Sequence, residues 1–74
     1  MSFDGIAIND LVRILASGAV LELNAQGRPV NDLVRLAAAA SNGGGLTLTG
    51  VGGLATNDFV RIGSAGGGKV TLKW

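Results

Sequence analysis

The chain has no cysteine, no histidine and no tyrosine, and Phe3, Phe59 and Trp74 are its aromatic residues. Without cysteine there is no disulfide framework, and without cysteine or histidine the usual zinc ligands are missing, so neither kind of staple can supplement the core. So few aromatics leave little for base stacking. Six Lys and Arg against five Asp and Glu give a net charge of +1, spread along the chain and not gathered in a block. Nothing in that distribution resembles the electrostatic footprint of a nucleic-acid binder, so nucleic acid is not an expected partner. Catalysis is equally poorly provided for. Ser17, Ser41 and Ser64 have no base to activate them, there being no histidine, and Asp4 and Glu22 are too isolated in sequence to nominate as an acid and base pair. The expectation is a chain with no catalytic residues, no cofactor and no metal site.

Long apolar runs are missing too. The segment from Leu36 to Asn57 carries no charge but is broken by "SNGGG" and "GVGG", so it does not form one membrane-spanning helix. The start, "MSFDGIAIND", has no basic n-region and an Asp at position 4, unlike a secretory signal. The expected location is the cytoplasm, with no membrane partner. At 74 residues the chain is one small domain or a piece of a repeat array, and a monomer of this size buries only about 60% of its unfolded surface. Association is the supplement left open, so the expected partner is the chain itself, as a homo-oligomer and first of all a dimer, or another protein.

What is present is repetition. "GIAINDLVRI", "GRPVNDLVRL" and "GLATNDFVRI" align without gaps from Gly5, Gly27 and Gly53, spaced by 22 and 26 residues. Each copy is followed by a small-residue turn and a short alternating apolar segment. The chain therefore divides into units of approximately 5–26, 27–52 and 53–74, each reading helix, glycine turn, strand, loop.

In the helical half, Leu11, Val12, Ile14 and Leu15 stand at i, i+1, i+3 and i+4, as do Leu33, Val34, Leu36 and Ala37, then Phe59, Val60, Ile62 and Gly63. Asn9, Asn31 and Asn57, or the residue just before each, fall where an N-cap belongs, and Asp10, Asp32 and Asp58 place negative charge in the first turn, where the helix dipole favours it. The recurring asparagines also allow a second reading, a ladder of amides bonded to the backbone of neighbouring loops. Glycine and serine close the helices at "ASG", "SNGGG" and "SAGGG".

In the strand half the period is two. Leu21, Leu23, Leu46, Leu48, Val70 and Leu72 are expected to face the helices, while Glu22, Thr47, Thr49, Thr71 and Lys73 point away, with Val20 the apolar exception on that side. Strand, helix, strand connections within one sheet are parallel and right-handed. A doubly wound sheet would read as continuous apolar runs, and these strands alternate instead. The predicted fold is α/β: three helix-turn-strand repeats forming a solenoid-like parallel sheet with helices on one face. In unit length, and in having one strand and one helix per unit, the pattern resembles leucine-rich-repeat-like α/β solenoids. It departs from them in lacking the consensus L-x-x-L-x-L-x-x-N, so the resemblance is one of architecture. Met1 to Asp4 aligns with the tail of a strand. No polar capping unit, such as a solenoid normally carries, is visible at either end, and a second copy is expected to cover the exposed ends or edge strands.

Three features invite a functional reading. Gly63, Gly68 and Lys69 in "GSAGGGKVT" match the G-x-x-x-x-G-K spacing of a P-loop. A P-loop leaves a strand and enters a helix; here the order is reversed, and Val70 stands where Ser or Thr would hold magnesium. The second feature is the set of pairs Asp10 with Arg13, Asp32 with Arg35 and Asp58 with Arg61, a charged recognition stripe in one reading and in the stronger one i, i+3 helix-surface pairs worth about 0.2–0.5 kcal/mol each, with an Asp of one helix also near an Arg of the next. The third is the strand face away from the helices, with Glu22, Asn24, Thr47, Thr49, Thr71 and Lys73, a surface of the kind on which solenoids bind partners. The reading that follows is a non-catalytic protein-interaction or self-assembly repeat module. The alternative is a nucleotide or phosphate-ligand binder using the glycine-rich turn at 63–69, for which Lys69→Ala would abolish thermal stabilisation by ATP or GTP.

Overall fold

The computed structural model describes residues 6–74, and the expectation for Met1 to Asp4 lies outside them. Three helices alternate with three strands: α1 (Ile8–Ala16), β1 (Val20–Asn24), α2 (Val30–Ala40), β2 (Gly45–Thr49), α3 (Thr56–Gly66) and β3 (Val70–Leu72). The strands form one sheet in the order β1-β2-β3, parallel throughout. Leu21 lies beside Leu46 and Leu46 beside Val70; Leu23 lies beside Leu48 and Leu48 beside Leu72. The chain is therefore α/β, as its alternating helical and period-two patterns require.

The apolar positions build one core. Leu11 and Leu15 of α1, Leu33, Leu36, Ala37 and Ala40 of α2, and Ile62 of α3 are fully buried with Leu46 and Leu48 of the sheet. Glu22 and Asn24 on the opposite sheet face are exposed. Small residues set the spacing between α2 and α3. A Cβ added at Gly66 would collide with the Val70 side chain and stand 3.7 Å from the Cβ of Ala37.

Helix ends depart from the sequence reading in two ways. The residues preceding the helices are Ala7, Pro29 and Ala55, none of which caps through its side chain. Asn9, Asn31 and Asn57 are each the second residue of a helix, so neither they nor the residues just before them are N-caps. The N–H groups a cap side chain would take are already bonded to backbone: those of Asp10, Asp32 and Asp58 donate to the carbonyls of Ala7, Pro29 and Ala55 at 3.1, 3.0 and 3.0 Å. At the start of α3 the Asp58 carboxylate reaches back to the Ala55 N–H at 3.2 Å. The acidic residues do lie in the first turns, where the dipole favours them.

At the other end, the Ser17 and Ser41 hydroxyls donate to the carbonyls of Ile14 and Ala38, each at 2.6 Å, closing α1 and α2 as expected. The third helix instead runs through Ser64 and Gly66 and stops at Gly67, whose φ of 55° is left-handed. Burial of Ile62 and Gly66 holds this last turn in spite of its weak helix formers.

Candidate functional site

The polar sheet face assembles much as its alternation predicts. Glu22, Thr47 and Thr71 lie side by side across the strands, and Asn24 lies beside Thr49. Neighbouring strands in such a ladder stand about 4.8 Å apart. The row is not a uniformly solvated surface. Thr47 and Thr49 are half-buried, and the Thr49 hydroxyl donates to the Leu23 carbonyl at 3.3 Å. Asn24 has a local task as well: its side-chain oxygen accepts the Gln26 N–H at 2.8 Å and turns the chain out of β1. Lys73 follows β3 and donates its backbone N–H to Leu48 at 2.8 Å, so the ladder continues one residue beyond the strand. The face carries one carboxylate, one amide, three hydroxyls and one ammonium group, from Glu22, Asn24, Thr47, Thr49, Thr71 and Lys73.

A second polar row crosses the helices, and it is the feature the sequence reading missed. The guanidinium of Arg35 in α2 donates to the Asn9 side-chain oxygen in α1 at 3.0 Å, and that of Arg61 in α3 donates to Asn31 in α2, also at 3.0 Å. Each arginine thus reaches the asparagine of the preceding helix, and the asparagines bond a side chain where a backbone ladder was expected. The signal was present in the recurrence of both residue types at fixed places in "NDLVR", "NDLVR" and "NDFVR". Spacing within one helix draws attention to the Asp and Arg at i, i+3, and the expected partner for an arginine of the next helix was the Asp, where the structure gives it the asparagine.

The two outer members of this row differ from the inner ones. Among the described residues, Arg13 of α1 has no preceding asparagine and Asn57 of α3 no following arginine. Arg13 borders an open depression on α1 together with Asp10, Ile14 and Ser17. Apolar exposure differs at one of these ends, the α3/β3 side. Leu48 in the middle strand is fully buried, while Leu72 beside it is 38% exposed; Val34 of α2 is half-buried, while Val60 at the matching place in α3 is 59% exposed.

The turn at 63–69 leaves a helix and enters a strand. Gly63 lies inside α3, Gly67 and Gly68 adopt left-handed φ values of 55° and 87°, and the Lys69 N–H is taken by the Gly66 carbonyl at 3.0 Å. A helix C-terminus presents carbonyl oxygens and the negative end of the dipole, an arrangement that repels anions. Among the described residues no helix is long and apolar enough to cross a membrane, and no group of three or more acidic residues gathers at one point. No family model matches the sequence, and neither a curated protein nor a solved structure is significantly similar to it.

Proposed function

We propose that this chain is a short solenoid-like repeat module that works by protein contact, through self-assembly before any other interaction, and carries no chemistry of its own. The observation that supports this most directly is the unequal burial of matching positions. Leucines equivalent in the pattern are buried in β1 and β2 and partly open in β3, with Leu23 at 1%, Leu48 at 0% and Leu72 at 38% exposure. Exposed apolar positions on a strand edge and the helix beside it are the usual mark of a contact surface. The resemblance to leucine-rich-repeat-like solenoids points the same way, because stacked units bury their faces only against neighbours.

Sedimentation velocity across the micromolar range tests the proposal. Self-association that grows with concentration is expected, and a chain that remains monomeric throughout would overturn the self-assembly reading. The polar face of Glu22, Asn24, Thr47, Thr49, Thr71 and Lys73 is the second surface of this module, favoured for a separate partner by its continuous row across all three strands.

A further inference from the structure

The self-assembly reading leaves open how two copies meet, and the two helix-to-helix contacts inside the chain specify one answer. We infer that copies stack head to tail, the α1/β1 face of one against the α3/β3 face of the next, with Arg13 donating to Asn57 across the junction. This inference rests on the self-assembly reading above.

One contact is already made twice within the chain. Between α1 and α2 it joins Asn9 to Arg35, and between α2 and α3 it joins Asn31 to Arg61. The buried apolar residue after each arginine is Leu36 in α2 and Ile62 in α3, both at 0% exposure. The α1 face offers the matching half, Arg13 followed by the half-buried Ile14. The α3 face offers the complementary half, Asn57 with the exposed Val60. Ile14 of one copy would take the place that Leu36 and Ile62 hold inside the chain.

The strands impose the same polarity. Since Leu21, Leu46 and Val70 share one row, a further parallel strand would set Leu21 of the next copy beside Val70, Glu22 beside Thr71 and Leu23 beside Leu72. That register covers the open Leu72 with an apolar neighbour. Lysine on an edge strand ordinarily discourages pairing. Here the approaching edge brings Glu22 into the rows that Lys69 and Lys73 flank, so the charges across the junction are of opposite sign. A two-fold dimer through either edge would run its strands antiparallel and set Asn57 near Asn57 or Arg13 near Arg13, repeating neither internal contact. A head-to-tail interface is heterologous, giving a ring if the rotation closes and a filament if it does not. Each copy adds three strands, about 14 Å of stack at the usual strand spacing.

Complementary blocking variants of the full chain provide the test. Arg13→Glu disables the head and Val60→Glu the tail; both positions are outside the core, and circular dichroism checks that each variant folds. The parent is expected to associate progressively, each variant alone to be monomeric, and their equimolar mixture to give a one-to-one heterodimer that grows no further. Arg13→Ala should raise the dissociation constant about tenfold, the lower end of the worth of one charge-assisted hydrogen bond. If the parent associates and Arg13→Glu associates equally well, or if the two monomeric variants fail to combine, head-to-tail stacking is wrong while self-assembly stands. A parent that stays monomeric at micromolar concentration removes both.

Discussion

Replacing Gly44 by alanine is the sharpest test of how closely the turn after α2 is fitted against the first helix and strand. Gly44 is buried, and a Cβ built on it would lie 2.5 Å from the carbonyl oxygen of Ala19 and 2.7 Å from that of Leu15, closer than the 3.0 Å below which a neighbour has to move. Neither oxygen is free to do so. The Leu15 carbonyl accepts the Gly18 N–H at 3.0 Å where α1 ends, and the Ala19 carbonyl accepts the Gly45 N–H at 3.2 Å where β1 and β2 begin to pair. Relief therefore costs about 1–3 kcal/mol of overpacking and about 0.5–1.5 kcal/mol for one weakened backbone bond, together about 1.5–4.5 kcal/mol. A domain of this length has a total stability of about 4–11 kcal/mol, so Gly44→Ala is expected to remove a large share of it. Urea denaturation followed by far-UV circular dichroism measures the loss, with the neighbouring Gly43→Ala as the control. At Gly43 no atom lies within 4 Å of the added Cβ, but its φ of 131° is unfavourable to a side chain. That substitution should cost about 1–2 kcal/mol from backbone strain alone. A Gly44→Ala variant within about 0.5 kcal/mol of the parent would refute the argument from close approach, since an overpacked site costs at least about twice that.

Other substitutions probe the remaining layers of the structure. Gly63→Ala should stabilise the chain by about 0.5–1 kcal/mol in thermal unfolding of the monomer, because Gly63 lies within α3, has open space around the added Cβ and has no left-handed φ to preserve. Leu48→Ala, which empties a fully buried site in the central strand, should cost about 2–5 kcal/mol by the same denaturation assay. A double-mutant cycle on Asn31→Ala and Arg61→Ala should yield a coupling of about 0.5–1.5 kcal/mol that persists in high salt, because the acceptor is a neutral amide; a coupling that vanishes with salt would reassign the arginine to a carboxylate.

Most of the architecture was legible because apolar periodicity and the three aligned copies give the same answer. Leu21 and Leu23 are buried while Glu22 is exposed, as a strand with one covered face must be. Legibility fails where tertiary contact overrides local preference. Ser64 and Gly66 read as a turn, yet α3 continues through them because Ile62 and Gly66 are packed against the core. The Asn-Asp pair reads as a cap and a first-turn acid, and only the second half of that reading holds, since the helices begin one residue before the asparagine.

The Asn and Arg row shows why such a contact is hard to see in a linear sequence. Its two instances link residues 26 and 30 positions apart, so no fixed spacing reveals it. The difference of four is absorbed away from the contact, in the two extra residues of α2 over α1, one more in the turn before β2 and one more in the loop before α3. What stays constant is the place of Asn and Arg within each helix, the second and sixth residues of α1, α2 and α3 alike. Two links of unequal length thus arrive at the same 3.0 Å bond, which means that side-by-side packing of the helices, and not the length of the connection, determines the contact. The head-to-tail stacking proposed above rests on this independence of the contact from its connection.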